Sequence, residues 1–491
     1  MKIRVTMKLA TPKKTNRVPS LDYARLKEAP IAELVESDVC AATGDTPSYE
    51  LFVAAAKTAC ETHLPVKPRF VRSKPWLDTD IITARDLVAE AQRTYKEVRS
   101  DDSRQKMADA TKSLAQLYVD KEEVFYASMA SEVEQASKDG KHSAAWKVID
   151  RMTGRKCRQV CSIAADSQQD RLTLWRDHFM RLLASKPPDV ALPVLQVHEG
   201  MLPIDEGSIS LNEIATAASQ LKTGKACGMD SIPPELLKLT GIHEILLPVL
   251  NQAFETGVVP DEWKVSGIIP IFKKGDASVC ANYRGIALMS LAAKLYNRIL
   301  LNRIQPHVEP LLRPNQNGFR VGRSTVQHIL ALRRIIEECT VRQECQCVVT
   351  FIDFSKAFDS ISRTRMEEVL YNYGLSTKIV TAVMSMYSGT AARVVTADGC
   401  SADFQVEAGV LQGDTLAPYL FVIVVDYVLR AAIPDDSVGF MIQKRLSRRH
   451  PAKYVTDLDF AHDIALLSGT MANAQTLLTA VEENAAAVGL H

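Results

Sequence analysis

The stretch of sequence that decides the fold is Phe351-Ile-Asp-Phe-Ser-Lys-Ala-Phe-Asp359, which follows Cys347-Val-Val-Thr350. Its valine, threonine, phenylalanine and isoleucine content is typical of a buried strand, here ending at Asp353. A second stretch, Phe460-Ala-His-Asp463, is predicted to be the tip of a hairpin that spans residues 457–468. If both strands belong to one sheet, Asp353 and Asp463 meet at the same edge.

Two carboxylates at neighbouring strand ends suit phosphoryl transfer by two metal ions. Such ions lie about 3.5–4 Å apart and share ligands from different strands, and Mg²⁺ prefers hard oxygen ligands. Taken alone, an aspartate at a strand end is more often a turn or helix cap. The hypothesis therefore depends on Asp353 and Asp463 together, in this order and in these surroundings.

Charge along the chain is balanced overall but uneven locally. The 491 residues contain 59 lysines and arginines against 58 acidic residues, so no global field draws the chain toward nucleic acid. Residues 261–334 contain twelve basic residues against four acidic ones, and residues 444–453 contain five and none. Each run is either a nucleic-acid surface or an ordinary solvated face.

No targeting or membrane segment stands out. The first nine residues carry charge without a long apolar core, which argues against a secretion signal. The longest apolar run, Ala417–Val425, is too short to span a bilayer and ends at Asp426. We therefore expect an intracellular protein, nuclear or cytoplasmic, with no membrane partner. Its oligomeric state does not follow from the sequence.

The order of predicted elements defines the organisation. Residues 1–65 show weak periodicity, and residues 66–200 form a helix-rich linker whose stretch 78–138 lacks proline and glycine and favours long helices. Helices and short strands alternate from about residue 205. From residue 346 the order is strand, two helices, hairpin, helix, hairpin and helix. This order predicts an α+β architecture, an antiparallel sheet with helices on one face.

Blocks of sequence, in a fixed order, carry a family resemblance. They are Lys225-Ala-Cys-Gly-Met-Asp230, Lys273-Lys-Gly-Asp276, Asn282-Tyr-Arg-Gly-Ile-Ala-Leu288, Gln316-Asn-Gly-Phe-Arg-Val-Gly-Arg-Ser-Thr325, Phe351–Asp359, Gly409-Val-Leu-Gln-Gly-Asp-Thr-Leu-Ala-Pro418 and Phe460–Asp463. From about Ile214 to Leu490 the sequence resembles the reverse transcriptase of non-LTR (LINE-type) retrotransposons. Group II intron maturases are the nearest alternative, but the lead Asp457-Leu-Asp-Phe460 fits the LINE type better.

The resemblance implies a right-hand polymerase fold. Fingers would cover residues 205–345 and the palm residues 346–491, preceded by the mostly helical N-terminal region. In the family a thumb follows the palm. Because this sequence stops at His491, shortly after the last helix of the palm, we expect the thumb to be absent.

The resemblance also implies roles for particular residues. Asp353 and Asp463 would bind two Mg²⁺ ions, and Phe358 would lie under the sugar of the incoming nucleotide and select deoxynucleotides. Triphosphate contacts would come from Lys273, Lys274 and Arg284, contacts to the nascent base pair from Gln412 and Gly413, and template phosphate contacts from Arg320 and Arg323. Packing in the core is a compatible role for Phe358, and Arg320 and Arg323 fit a plain solvated loop equally well.

One departure from the family concerns the metal site. His462 occupies the place where the family carries a shared metal-binding aspartate. A neutral imidazole brings nitrogen without negative charge, which suits Mg²⁺ poorly. By family the partners would be an RNA template, a DNA primer and deoxynucleoside triphosphates, with catalysis impaired in this copy. The alternative is a recruited RNA- or protein-binding module without polymerase activity.

Overall fold

The computed structural model describes residues 21–44, 48–66, 78–140, 144–146, 148–149, 163–184, 188, 190–341, 346–411 and 413–491. Gln412 and parts of the predicted segments 1–65 and 66–200 lie outside this description. The described residues divide into two compact units. One contains residues up to 66 and from 163 onward, and the other contains the described residues between 78 and 149.

The smaller unit is built on two helices, α3 (Thr79–Val98) and the longer α4 (Asp101–Lys138). The helix-favouring stretch 78–138 turns between them at Arg99, whose φ is +47°. Ser100 then caps α4 through a reciprocal pair of bonds with Ser103. Lys121 pairs with both Asp78 and Asp80, which ties the middle of α4 to the start of α3.

In the larger unit, two helices precede the predicted linker. They are α1 (Ala29–Thr43) and α2 (Tyr49–His63), and they pack on each other and on the later helix α7 (Thr240–Thr256). The hydroxyl of Tyr49 donates to Asp230 at 2.6 Å and lies 2.9 Å from the hydroxyl of Ser290. The described part of residues 21–66 is therefore integral to the larger unit.

The remaining helices pack in three apolar clusters, with α5 in the second, α9 in the third and the others in the largest. They are α5 (Gln168–Leu182), α6 (Leu211–Gln220), α7 (Thr240–Thr256), α8 (Leu291–Val308), α9 (Thr325–Val341), α10 (Arg363–Asn372), α11 (Thr377–Ser385), α12 (Ala417–Ala432) and α13 (Met471–Ala486), with single turns at Asp261–Lys264 and Ala357–Ser360. Helix α12 is buried along nearly its whole length. A helix that is apolar on every side belongs in the middle of a core.

The strands form separate sheets. They are β1 (Val265–Phe272), β2 (Tyr283–Leu288), β3 (Val348–Asp353), β4 (Ala391–Thr396), β5 (Gly399–Cys400), β6 (Phe404–Gln405), β7 (Phe440–Gln443), β8 (Lys453–Val455), β9 (Asp457–Phe460) and β10 (Asp463–Ser468). The first sheet has the order β2-β1-β4-β5 with β6 beside β4, the second has the order β3-β10-β9, and β7 pairs with β8.

The second sheet is antiparallel throughout, as the sequence predicts, whereas β1 and β4 in the first sheet run parallel. Inward-facing Ile464 and Leu466 of β10 join the core. On the opposite face of the same sheet, Phe351 is 74 % exposed. The predicted mixed architecture, a helical N-terminal region followed by sheets with packed helices, is thus confirmed.

Candidate active site

Asp353 and Asp463 face each other across two neighbouring strands. Strands β3 and β10 are antiparallel, and in their register the Cα atoms of Asp353 and Asp463 are direct partners. Asp353 is the last residue of β3 and Asp463 the first residue of β10. Both side chains are exposed. The sheet therefore presents two carboxylates to solvent at one edge.

His462 lies beside this pair, in the tight turn from β9 to β10. The residue before it, Ala461, has a φ of +58°, a left-handed conformation that is uncommon outside glycine. One ring nitrogen of His462 and one carboxylate oxygen each from Asp353 and Asp463 all lie within 4.8 Å of one another. The turn thus adds an imidazole to the two carboxylates.

Aromatic side chains surround the ring of His462. Phe358 meets it edge to face with centroids 5.8 Å apart, and Phe421 does so at 6.2 Å. Phe358 and Phe421 themselves stack at 4.3 Å. These contacts restrict the orientation of the imidazole. Phe358, predicted to lie under the nucleotide sugar, therefore packs against both the buried helix α12 and the site.

A buried glutamine, Gln316, forms hydrogen bonds with the backbone of the turn between β9 and β10. The side-chain oxygen of Gln316 accepts hydrogen bonds from the backbone N–H groups of Ala461 at 2.8 Å and Gly318 at 2.7 Å. Its amide nitrogen donates to the carbonyl of Ala461 at 3.3 Å. Asn317 and Asp459 add a backbone bond of 2.8 Å beside this contact. Nothing in the sequence block that contains Gln316 predicts this role for its side chain.

Asp457 and Asp459 lie on the face of β9 that points away from the site, and both are fully buried. Asp457 forms an ion pair with Arg313 and accepts a bond from Asn315 at 3.1 Å. Neither carboxylate oxygen of Asp459 has a hydrogen-bond partner among the described residues. The strand register therefore leaves neither aspartate able to take the place of the aspartate that the resemblance implies at position 462.

The pKa values of these two aspartates move in opposite directions. Burial strongly raises the pKa of Asp459, and the neighbouring charge of Asp457 raises it further. Burial alone would also raise the pKa of Asp457, but the cation of Arg313 together with side-chain hydrogen bonds outweighs burial and lowers the pKa. The two shifts favour the charged form of Asp457 and the neutral form of Asp459.

The residues expected to bind the triphosphate lie on the hairpin of β1 and β2. Arg284 pairs in register with Ile271, and Lys273 and Lys274 follow β1 directly. The side chains of Lys273, Lys274 and Arg284 are exposed. The structure thus presents three cations on one hairpin, with their ends in solvent.

Gly413, expected beside the nascent base pair, lies against the same hairpin. Its φ is +120°, and an added Cβ would come within 2.5 Å of the carbonyl oxygen of Ala287 in β2. Only glycine fits such a position without displacement of the backbone. Gln412, expected to act with Gly413, lies outside the described residues.

Arg320, expected at the template phosphates, does not face solvent. It is 7 % exposed, and its guanidinium donates to the carboxylate of Glu309 at 2.7 Å and to the carbonyls of Arg313 and Gln316. An arginine engaged in this way stabilises the loop. Arg323 is half-buried and donates to the carbonyl of Pro314 at 2.8 Å.

Comparison with known proteins indicates the family to which this site belongs. A family model described as reverse transcriptase (RNA-dependent DNA polymerase) matches residues 271–491. The type-1 element R2 polyprotein of Nasonia vitripennis is 27 % identical over 274 residues, 55 % of this chain and 26 % of its own length. A probable RNA-directed DNA polymerase from transposon BS of Drosophila melanogaster is 29 % identical over 273 residues, 53 % of this chain and 28 % of its own length.

The RNA-directed DNA polymerase of the mobile element jockey from Drosophila funebris is 29 % identical over 228 residues, 45 % of this chain and 24 % of its own length. The chain thus spans about a quarter of the length of these curated relatives. Together, the sheet edge with its paired aspartates and these matches identify residues 271–491 as a reverse transcriptase domain. More particularly, the chain carries the reverse transcriptase domain of non-LTR, LINE-type retrotransposons.

The family generally uses Mg²⁺, and the donor set found here does not fit a pair of these ions. It offers two carboxylates and one imidazole. Mg²⁺ requires oxygen ligands in near-octahedral geometry, and two such ions need several shared negative charges. The ring nitrogen of His462 supplies neither an oxygen ligand nor a negative charge.

None of the helices in the described part of the chain has the length and apolar character needed to cross a bilayer.

Proposed function

We propose that this domain binds an RNA template, a DNA primer and deoxynucleoside triphosphates, but is severely impaired in Mg²⁺-dependent DNA synthesis. One observation carries the proposal: a ring nitrogen of His462 lies within 4.8 Å of a carboxylate oxygen of Asp353 and of Asp463. The surfaces for nucleotide and nucleic acid are retained while the charge of the phosphoryl-transfer site is reduced.

Division of the chain into fingers and palm is part of this proposal. Residues 205–345 would form the fingers, with the cationic hairpin of β1 and β2 reaching toward the triphosphate. Residues 346–491 would form the palm, with the sheet β3-β10-β9 supporting the site. The contact of Gly413 with Ala287 supports this arrangement, because it joins the loop before α12 to the hairpin.

Recognition of the nucleotide would fall to residues near His462 and on the hairpin. Arg284 offers a planar fork suited to phosphate oxygens. Phe358 stacks on Phe421 at 4.3 Å, so its ring is firmly held. A fixed ring beside the sugar would exclude a 2′-hydroxyl and thereby select deoxynucleotides.

Histidine in place of aspartate at position 462 should slow phosphoryl transfer strongly, because it removes negative charge that both metal ions would share. Loss of a carboxylate leaves the charge developing on the transferred phosphoryl group less well neutralised. Each 1.4 kcal/mol added to the barrier slows the reaction about tenfold. Losses of several kcal/mol at one position therefore reduce the rate by orders of magnitude.

Primer extension on an RNA template with Mg²⁺ tests the proposal. We expect the unaltered chain to extend no more than the Asp353→Ala variant, which lacks a carboxylate of the site. His462→Asp restores the third carboxylate, so Mg²⁺ affinity should rise. Extension by the unaltered chain clearly above that of Asp353→Ala would overturn the proposed impairment.

Binding of RNA is tested separately by titration at several salt concentrations. Phosphate contacts release counterions, so affinity should fall as salt rises. The unaltered chain and Asp353→Ala should bind RNA equally well, since Asp353 is not a cation. Binding that does not change with salt would contradict the proposed nucleic-acid surface.

A further inference from the structure

The three side chains at the sheet edge carry too little charge for two divalent ions and enough for one. Two carboxylates and a neutral imidazole sum to a charge of −2, as the side-chain inventory dictates. Two divalent ions would bring +4 into this small volume. A single divalent ion is neutralised by the same set. The charge therefore favours one ion.

The geometry is close to that of a coordination shell. The three ligand atoms lie within 4.8 Å of one another. Nitrogen and oxygen ligands about 2.0–2.2 Å from one metal ion are themselves about 3–4 Å apart. Asp353 and Asp463 are exposed, and neither carboxylate is engaged by a side-chain hydrogen bond or ion pair among the described residues. Small side-chain rotations thus suffice to close the site.

The imidazole of His462 is oriented but not otherwise used. Phe358 and Phe421 meet its ring edge to face at 5.8 and 6.2 Å. Its Nδ1 is buried and has no hydrogen-bond partner among the described residues. Buried polar atoms are normally bonded. A ring held by aromatic packing and lacking hydrogen bonds is available for coordination.

We propose that Asp353, His462 and Asp463 bind a single divalent transition-metal ion of the Mn²⁺ or Zn²⁺ class, with the imidazole in its coordination shell. Imidazole together with carboxylates suits such ions, whereas Mg²⁺ prefers oxygen alone. The substitution thus changes which metal the site selects. This inference rests on the proposed function for the identity of the site, but its test measures the metal and not synthesis.

Electron paramagnetic resonance of Mn²⁺ added to the purified chain provides the test. We expect one Mn²⁺ per chain, with a coupling to imidazole nitrogen in the pulsed spectrum. The coupling should disappear in His462→Asp and persist in His450→Ala, which removes an exposed histidine elsewhere. Asp353→Asn should weaken Mn²⁺ binding at least about tenfold, because even indirect supports of a ligand are worth 10–100-fold.

Either of two results would overturn the inference: no nitrogen coupling in the unaltered chain, or a coupling that persists in His462→Asp. Circular dichroism checks the fold of each variant, and His462→Gln replaces His462→Asp if the latter fails to fold. Mg²⁺-dependent primer extension by the unaltered chain would contradict the proposed function without removing the coupling. A missing coupling together with no extension would contradict this inference alone.

Discussion

The side chain of Gln316 bonds both backbone polar groups of Ala461, at the turn that carries His462 and Asp463. Gln316 is 1 % exposed, and Gly318 approaches so closely that an added Cβ would lie 2.3 Å from the nitrogen of Ala461. The position of the site thus depends on a loop that is 145 residues away in sequence.

Replacement of this glutamine should loosen the site. Gln316→Ala leaves the buried N–H of Ala461 without its acceptor, at a cost of about 1–3 kcal/mol in the free energy of unfolding. We also expect weaker Mn²⁺ binding than in the unaltered chain. Urea unfolding and Mn²⁺ titration measure the two effects. Gln475→Ala removes an exposed amide on α13 and should change neither.

A second prediction concerns the pH dependence of stability. The pKa of Asp459 is raised in the folded chain by burial and by the charge of Asp457. A raised carboxyl pKa favours folding below the unfolded value, about 4, and this contribution is lost as pH rises toward the folded value. Asp459→Asn replaces the carboxyl group with an amide of nearly the same shape, which stays uncharged at every pH. It should therefore stabilise the chain at pH 8, by on the order of 1–3 kcal/mol, and much less at pH 5.

Urea unfolding at both pH values measures this difference. Asp457→Asn is the matched comparison, since Asp457 is equally buried but its pKa is lowered by Arg313. Its replacement leaves the buried Arg313 without its nearer carboxylate partner and should destabilise the chain by about 3–5 kcal/mol at neutral pH. If Asp459→Asn were destabilising at pH 8, the assignment of a neutral Asp459 would be wrong.

A third prediction concerns the contact between the loop before α12 and the β1–β2 hairpin. Gly413→Ala places a Cβ 2.5 Å from the carbonyl oxygen of Ala287 at a φ of +120°. Such strain costs about 1–3 kcal/mol, measurable as a lower midpoint of urea unfolding. Gly469→Ala meets no atom within 4 Å and should change stability by less than about 1 kcal/mol. Equal effects in the two variants would show that the contact is unimportant.

The fourth prediction concerns the basic loop between β7 and β8. Arg448 and Arg449 are exposed and form no ion pair among the described residues. Arg448→Gln/Arg449→Gln should lower RNA affinity and reduce the salt slope by roughly two. Arg333→Gln/Arg334→Gln removes the same charge from arginines already paired with Glu337 and Glu338, and should have a smaller effect. The reverse order would locate RNA on α9 instead.

Local patterns predicted much of the larger unit. The strand expected at 347–353 is β3 at Val348–Asp353, and the hairpin expected at 457–468 is β9 and β10. These strands were predictable because β-branched and aromatic side chains are enriched on half-buried strands. By contrast, α1 and α2 were missed in the weakly periodic segment 1–65. Helix α2 contains several alanines, so its buried and exposed faces differ little in hydrophobicity.

The site was predictable only in part. The sequence blocks predicted that Asp353, His462 and Asp463 belong to one site. The β3–β10 register and the turn before β10 bring the three side chains together. The support from Gln316 was not predictable, because it depends on hydrogen bonds across 145 residues. The burial of Arg320 was missed for a similar reason. An arginine in a glycine-containing loop gives no sign, in sequence, of the carboxylate and carbonyls it will bond.

The early helices α1 and α2 have a consequence for synthesis of the chain. Tyr49 bonds Asp230, which is 181 residues later. At roughly 5–20 residues per second, the ribosome adds those residues in about 10–35 s. Throughout that interval Val35, Val39 and Phe52, fully buried in the finished fold, lack their partner surface on α7. The nascent chain should therefore depend on chaperones from its first helices onward.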